Sequence, residues 1–472
     1  MIDGAGLAHL LGGIRTALEY PPLRGGIFAL ESCVFSSCYP AIDGVHSFPH
    51  SAFSSLSDGE VDRRRTASIA AILAVIAPVG HAVAQPSSSP YWLGEGHGPH
   101  MTGTTEELWV DDSRDEPTTT DPNDKRRMMI RTWYPADFPA DATRAPYVLD
   151  VDLYQDSIRE GVAEIGTRAT RSVVDAHVER GSTRYPVLIY NSGGGWPEFS
   201  ATFLTEYLAS YGYVVVSIGH TGFNGLEKFP DGTSYAYDAP RPHLTAEQQA
   251  SMSPVEKDQA EGGDPLVQRL NAMMVEDVSF VLDRMAALAT TPTYRFHRRL
   301  DLEHVGVVGW SLGGATSFQA ALDDHRIRAA VDLDGWLKHR RVEAVGAPVP
   351  ILFVESTDTD EDSLRGEVDP AYKELEADAE RRTWHMLQLT TADWYHATIQ
   401  GADHLSFSDA YLGDAKAPPG VMDPQRSSEI IRALTLEFFE RYLKGAKDAP
   451  VLSRQRSFPE LRLETKLERS SR

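Results

Sequence analysis

Cysteine is nearly absent from this sequence, occurring only at Cys33 and Cys38 among 472 residues. The rest of the chain can therefore have neither a disulfide framework nor a cysteine nucleophile. Long apolar stretches are missing too, because the run Ala67–Val79 is too short for a comfortable membrane span. Basic charge is in deficit, with 45 Lys and Arg against 68 Asp and Glu. The resulting net charge of −23 argues against nucleic acid or anionic membranes as partners.

The composition is otherwise that of a globular protein, with 42% hydrophobic, 24% charged and 9% aromatic residues. Acidic residues gather in Asp111–Asp124 and in Asp358–Arg382. We interpret both segments as solvated faces, because neither has the ligand spacing of a metal site. No metal and no other cofactor is therefore predicted.

A segment near the N terminus has the three parts of a secretory signal peptide. Arg63–Arg65 supply the basic region, Ala67–Val79 the apolar core, and Ala82–Ala84 the A-x-A cleavage site before Gln85. A buried helix or a signal anchor is the alternative interpretation. We predict a signal peptide at residues 61–84, and secretion, or a periplasmic location if the host has an outer membrane.

Signal peptides function only at an N terminus, yet about sixty residues precede this one. We expect translation to begin near Val61, which makes residues 1–60 a misassigned start or a disordered extension. The chain from 85 to 472 is long enough for one elaborated α/β domain.

Beyond residue 85, apolar β-branched runs alternate with helical patterns, which predicts a mostly parallel sheet covered by helices on both faces. An antiparallel pair is expected at the start of the sheet, and segment 221–262 has no clear period. Strands are predicted at Glu107–Asp111, Met128–Tyr134, Val187–Asn191, Tyr213–Ile218, Glu303–Val308, Ala329–Leu333, Ile351–Glu355 and Ala397–Gln400, and helices at Phe199–Ser210, Pro265–Ala289, Ala315–Leu322 and Ser427–Leu443.

The segment Gly309–Gly314 contains a G-x-S-x-G pattern centred on Ser311. A buried strand pattern, Glu303–Val308, precedes it and a small-residue helix pattern, Ala315–Leu322, follows it. Strand, tight turn and helix in this order are typical of a nucleophile elbow. The interpretation without function is a glycine-rich turn with an incidental serine.

A serine nucleophile needs a base, and on α/β-hydrolase folds the order along the chain is Ser, Asp or Glu, then His. His404 is the preferred base because it follows the last predicted strand, at the sheet edge where such folds place their sites. His396 is its nearest rival, but it lies at the start of that strand. His325, His339 and His385 are expected at the surface.

The acid that orients the histidine is predicted to be Asp334, which directly follows the strand Ala329–Leu333. Asp332 lies on the same strand, deeper in the sheet. Asp358 and Glu355, after the next strand, are the alternatives that remain open.

An oxyanion hole needs two backbone N–H groups. Leu312, directly after the nucleophile, is predicted to supply one. The other is expected from the glycine-rich loop after Val187–Asn191, where Gly194 is preferred and Gly193 or Gly195 is possible. A merely flexible turn is the alternative.

These residues together resemble the platelet-activating factor acetylhydrolase family of α/β-hydrolases, from about Trp133 to the last helix. The resemblance implies Asp334 as the acid, the N–H of Gly194 as an oxyanion donor, and short acyl chains as in sn-2 acetyl phospholipids. The segments that carry it are Tyr190–Gly195, Leu208–Tyr213, Ser217–His220, Gly309–Gly314, Leu333–Trp336 and Gly401–Asp409.

Three departures limit what the resemblance implies. Trp310 and Ser192 stand where the family usually has histidine, and segments 221–262 and 356–392 look longer than the fold needs. The chemistry is expected to carry over, whereas the preferred acyl chain is not.

The sequence thus predicts a secreted, metal-independent serine ester hydrolase for a small-molecule or lipid ester. Trp196, Trp310 and Trp336 are expected either to line an acyl or leaving-group pocket or to belong to the core. A carboxylesterase or cutinase-like polyester hydrolase, a peptidase, and a non-catalytic binding protein on this fold are the alternatives.

Overall fold

The computed structural model describes residues 92–466, except 95, 118, 120, 122, 151–164, 226, 236–251, 254, 258–259, 261–264, 336–339, 358–369, 414–415 and 455–457. The predicted signal peptide and residues 1–60 lie outside the described residues, as do His339, Trp336 and Asp358. Those predictions stay predictions, and so do the domain bounds.

The described strands form one large mixed sheet and a two-stranded hairpin. The strands are β1 (Thr102–Asp115), β2 (Lys125–Asp137), β3 (Val173–Val174), β4 (His177–Val178), β5 (Tyr185–Asn191), β6 (Val214–Gly219), β7 (Glu227–Lys228), β8 (Ser234–Tyr235), β9 (Leu300–Trp310), β10 (Ile327–Leu333), β11 (Ile351–Ser356), β12 (Trp394–Ile399) and β13 (Leu461–Thr465).

The large sheet has the order β13-β12-β11-β10-β9-β5-β6-β2-β1-β3, with β4 beside β2. The six neighbouring strands β12, β11, β10, β9, β5 and β6 are all parallel. Strand β2 pairs antiparallel with β1 and β6, and β13 pairs antiparallel with β12. The predicted antiparallel pair and the parallel centre are both confirmed. This arrangement is the α/β-hydrolase fold that the sequence predicts.

Six α-helices are described: α1 (Thr202–Ser210), α2 (Pro265–Ala289), α3 (Leu312–Asp323), α4 (Arg340–Val345), α5 (Pro370–Leu389) and α6 (Pro424–Leu443). A short 3₁₀ helix spans His404–Phe407. Among the described residues, no helix is both long enough and apolar enough to cross a bilayer.

The central strands bury both faces because successive side chains alternate across a sheet. In β5, Leu188 and Tyr190 belong to one core cluster, and Val187 and Ile189 belong to the other. Helices α1 and α6 cover the first cluster, and α2 and α3 cover the second. The parallel strands therefore read as continuous apolar runs.

Several elements were not predicted, among them an edge strand, two helices and a small hairpin. Strand β13 lies after the last predicted helix and adds an antiparallel edge. Helices α4 and α5 follow β10 and β11, and α5 occupies much of the acidic segment 356–392 that looked surplus to the fold. In segment 221–262, the described part includes the small hairpin β7-β8.

Candidate active site

The end of β9 and the start of α3 meet in a tight turn at Ser311. This residue has φ 56° and ψ −125°, a conformation that costs a non-glycine residue about 1–3 kcal/mol. Its backbone N–H donates to the carbonyl oxygen of Leu333 at 2.9 Å, which ties the turn to β10. The strained turn holds the serine above the carboxyl end of the sheet.

Three glycines around Ser311 are required by lack of space. A Cβ atom on Gly309 would lie 2.2 Å from the carbonyl oxygen of Gly313, and one on Gly313 would lie 2.1 Å from that of Asn191. A Cβ atom on Gly314 would lie 2.0 Å from Oδ1 of Asp332. The glycines of the G-x-S-x-G pattern therefore allow β5, β9 and α3 to approach closely.

The structure brings Ser311, His404 and Asp334 together. Nε2 of His404 lies 3.0 Å from Oγ of Ser311, and its Nδ1 lies 2.7 Å from Oδ2 of Asp334. The His404 side chain is 38% exposed and that of Asp334 is 9% exposed, so a substrate could reach the imidazole while the carboxylate is shielded. This is the geometry of a serine nucleophile with its base and orienting acid.

Asp334 is held by the neighbouring strand rather than by its own. It follows β10 with φ 55°, and the N–H and hydroxyl of Ser356, at the end of β11, donate to its Oδ1 and Oδ2 at 2.7 and 3.1 Å. Asp332 lies deeper in the sheet, where Oδ1 accepts from the Gly335 N–H at 2.8 Å, and burial raises the pKa of its carboxyl well above the ordinary value. Of the two, only Asp334 faces His404.

His404 begins the short 3₁₀ helix, whose N-cap is Asp403. The Asp403 carboxylate accepts from the Ser406 N–H at 3.0 Å and from the Tyr411 hydroxyl at 2.6 Å. The indole N–H of Trp310 donates to the carbonyl oxygen of His404 at 3.0 Å. The backbone that carries the imidazole is therefore fixed on two sides.

The rival histidines lie elsewhere. His396 is buried within β12, where its Nε2 faces the carboxylate of Glu355 and its ring contacts Trp384. His325 and His385 are exposed. The alternative acid Glu355 therefore pairs with His396 and not with His404.

The glycine-rich turn after β5 lies beside the nucleophile. A Cβ atom on Gly193 would be 3.3 Å from Cβ of Ser311, and the Gly193 carbonyl oxygen accepts from the Trp196 N–H at 3.1 Å. The Gly195 N–H donates to the carbonyl oxygen of Phe223 at 2.7 Å, so this amide is already engaged. Gly194 and Gly193 remain the candidates for the second oxyanion donor.

Two of the three tryptophans are described. Trp310 is fully buried in a core cluster, with its ring centroid 5.2 Å from that of His404. Trp196 is half-buried and packs edge-on against Trp310 with ring centroids 5.3 Å apart. Leu312 packs instead against an apolar cluster that contains Phe223 and Met274.

A buried polar chain beneath the site was not predicted from the sequence. His220, after β6, places Nδ1 2.9 Å from Oδ2 of Asp277 and Nε2 3.0 Å from Oδ1 of Asn191. Burial opposes the charge of Asp277, but the Arg126 guanidinium beside it holds the pKa of that carboxyl well below its ordinary value. His220 belongs to a segment that carries the family resemblance, yet no pattern indicated its role.

Three comparisons place this chain among known proteins. A family model described as "PETase: PET hydrolase-like" matches residues 274–412. Platelet-activating factor acetylhydrolase from Cavia porcellus is 22% identical over 289 residues, which cover 55% of this chain and 58% of that protein. A probable 1-alkyl-2-acetylglycerophosphocholine esterase from Arthroderma benhamiae is 24% identical over 280 residues, covering 56% and 64% of the two chains.

A solved ferulic acid esterase from Streptomyces cinnamoneus superimposes with a TM-score of 0.57 at 22% identity. The match covers 79% of this chain and 99% of that one, and it supports the fold. The chain spans less than two thirds of the length of the first curated relatives.

Proposed function

We propose that the protein is a serine ester hydrolase with Ser311 as its nucleophile. Its similarity to platelet-activating factor acetylhydrolases and to the PET hydrolase-like family supports the proposal. The observation that carries the proposal is the convergence of Ser311, His404 and Asp334, with contacts of 3.0 and 2.7 Å, on a strained elbow. Such a constellation makes a hydroxyl reactive at neutral pH.

In the acylation step, Oγ of Ser311 attacks the acyl carbonyl carbon while Nε2 of His404 accepts its proton. Asp334 holds the imidazole in the right tautomer and stabilises its positive charge. The oxyanion that forms is held by the N–H groups of Leu312 and Gly194. His404 then returns the proton to the departing alkoxide, which leaves as an alcohol.

Deacylation repeats these roles with water. His404 takes a proton from a water molecule, whose oxygen attacks the acyl-enzyme, and the carboxylic acid leaves as Ser311 regains its proton. Neither step needs a metal ion or an organic cofactor.

We propose short acyl esters as the substrate class, with sn-2 acetyl phospholipids as the first to be tested. The resemblance to the acetylhydrolase family supports this choice. The residue that directly follows the nucleophile, Leu312, is apolar and half-buried, and it packs on the buried side chains of Phe223 and Met274. Such surroundings suit a small apolar acyl group better than a charged one.

A second candidate is a polyester hydrolase, which the match of residues 274–412 to the PET hydrolase-like family favours. That match includes Ser311, Asp334 and His404. Turnover of acetyl, butyryl and long-chain esters, aminoacyl amides and a polyester film by the purified protein would distinguish the candidates. Preference for the film, or for the amides, would contradict the short-chain proposal.

A fluorophosphonate probe tests the nucleophile itself. We expect labelling of the wild-type protein that disappears in Ser311→Ala, along with ester hydrolysis. Turnover should fall on the order of 10⁶-fold, as for other serine hydrolases that lose this residue. A protein that is neither labelled nor active on any ester would indicate a non-catalytic binding protein.

We also propose that the protein is secreted by way of the signal peptide at residues 61–84. The three-part pattern in the sequence supports this proposal. N-terminal sequencing of protein recovered outside the cell should begin at Gln85. Peptides from residues 1–60 in that material would contradict it.

A further inference from the structure

We propose that Asn224 is a positioning residue that sets the oxyanion hole, acting together with His220. The inference deepens the proposed esterase function and rests on it. Asn224 lies in the turn after β6, which is separated by β5 from the strand β9 that leads to the nucleophile, and its side chain is buried. Its side chain hydrogen-bonds to His220, Ser192 and Trp196.

The side-chain amide of Asn224 hydrogen-bonds to the glycine-rich turn on both sides of the three glycines. Nδ2 donates to the hydroxyl oxygen of Ser192, before the three glycines, and to the carbonyl oxygen of Trp196, after them, at 2.6 Å in the second case. The Ser192 hydroxyl donates to the same Trp196 oxygen at 3.1 Å. One amide therefore determines how tightly residues 193–195 are folded.

The other end of the Asn224 side chain is anchored. Oδ1 of Asn224 accepts from the backbone N–H of His220 at 2.7 Å. The backbone N–H of Asn224 donates to the His220 carbonyl oxygen at 3.1 Å. The neighbouring residue Phe223 accepts from the Gly195 N–H at 2.7 Å. Within the turn at 220–224, His220, Phe223 and Asn224 are thus the residues that support the glycine-rich turn.

The His220 ring connects this support to the nucleophile elbow at Ser311. Nε2 faces Oδ1 of Asn191, whose Nδ2 donates to the Ser317 hydroxyl at 2.9 Å. That hydroxyl donates to the carbonyl oxygen of Gly313 at 2.8 Å. The segments that carry the two predicted oxyanion donors, the glycine-rich turn and the start of α3, therefore both connect to His220.

This arrangement matters because an oxyanion hole stabilises the transition state only when its N–H donors are held at the right distance from the oxyanion. Donors must stand about 2.7–3.1 Å from where the oxyanion forms, and a misplacement of about 1 Å can cost on the order of 10²-fold in rate. Three successive glycines would not hold that position by themselves, because glycine has little conformational preference. Asn224 supplies the missing restraint.

The test is Asn224→Asp, which keeps the shape of the side chain but turns the donor toward Trp196 into an acceptor. We expect kcat on a short-chain ester to fall about 10²-fold with KM unchanged, because the oxyanion exists only in the transition state. Asn224→Ala removes the contact without repulsion and should cost about tenfold or more. Rates are expressed per site labelled by the fluorophosphonate at completion, which corrects for unfolded protein.

Thr221→Val is the matched control. Thr221 is equally buried in the same turn, and its hydroxyl donates to the carbonyl oxygen of Arg127, in β2 and away from the glycine-rich turn. It should lose a comparable amount of thermal stability, yet retain wild-type kcat and KM. Ser317→Ala, which breaks the connection to Gly313 at little cost to a helix, should lower kcat by several-fold.

A trifluoromethyl ketone separates positioning from general damage. Oγ of Ser311 adds to its carbonyl carbon, the serine proton passes to His404, and the alkoxide formed occupies the oxyanion hole. In the Asn224 variants, the inhibition constant of the ketone should rise by the same factor by which kcat/KM falls. The affinity for a substrate-like amide, which carries no alkoxide, should stay unchanged.

Two results would overturn the inference. The first is that the Asn224→Asp variant has the same kcat and the same affinity for the ketone as the Thr221→Val variant. The other is a loss of substrate-like amide binding equal to the loss of ketone binding, which indicates collapse of the pocket. Both leave the proposed function intact if the wild type hydrolyses esters, whereas an inactive, unlabelled wild type refutes both proposals.

Discussion

Asp334→Asn is the sharpest test of the acid assignment, because the hydrogen bonds around this residue dictate what the amide must do. Oδ1 of Asp334 accepts from the Ser356 N–H at 2.7 Å, and a backbone N–H cannot become an acceptor. The asparagine oxygen must therefore occupy that position, and its NH₂ group must face Nδ1 of His404. The Ser356 hydroxyl can rotate to accept from it.

An NH₂ group at that position forces the wrong tautomer on the base. Nδ1 of His404 must then accept a hydrogen bond, the proton moves to Nε2, and Nε2 can no longer accept from Ser311. In serine hydrolases with this triad, the equivalent change lowers kcat by about 10⁴. This corresponds to about 5 kcal/mol of lost transition-state stabilisation.

The assay is hydrolysis of p-nitrophenyl acetate at neutral pH, with Asp332→Asn as the matched control. Asp332 is buried two residues earlier on the same strand, and burial raises the pKa of its carboxyl well above the ordinary value. Asparagine keeps an acceptor for the Gly335 N–H, and activity should stay within about threefold of the wild type. A variant Asp334→Asn that stays active while Glu355→Gln does not would refute the assignment.

Three further predictions test the elbow, its support by Trp310 and the buried carboxyl group of Glu198. Gly313→Ala should abolish activity and lower Tm, as measured by calorimetry, because the new methyl group would lie 2.1 Å from the Asn191 carbonyl oxygen. Trp310→Phe loses the hydrogen bond to the His404 carbonyl oxygen but keeps an aromatic ring. In the same ester assay, kcat should therefore fall about tenfold. An unchanged kcat would mean that this hydrogen bond is not needed. Burial raises the pKa of Glu198 from 4.5 to about 8, so the folded state retains a proton that the unfolded chain loses, and stability falls as pH rises between these values. Glu198→Gln should remove that dependence. Its free energy of unfolding, measured by denaturant titration, should therefore rise relative to that of the wild type by an amount on the order of a few kcal/mol from pH 5 to pH 8. Equal slopes of stability against pH in the two proteins would contradict the argument.

Local signals identified most of the fold where the chain is regular. The parallel strands are continuous apolar runs, and the elbow strand and helix were found around Gly309–Gly314. Strand β13 was missed because it is an edge strand of only five residues, whose burial alternates too weakly to stand out. Helix α5 was missed because seven of the ten residues from Lys373 to Arg382 are charged, so the segment was interpreted as a solvated face.

The sequence by itself determined which residues we propose for the chemistry: a serine between glycines, a carboxylate after the next strand and a histidine near the last one. Strand order in this fold is regular enough that chain order constrains these roles. Only the tertiary structure decided what holds them, namely Ser356 on Asp334, Trp310 on His404, and Asn224 on the glycine-rich turn. These supports come from residues distant in sequence, and a hydrogen bond between distant residues leaves no periodicity or spacing that a single sequence could reveal.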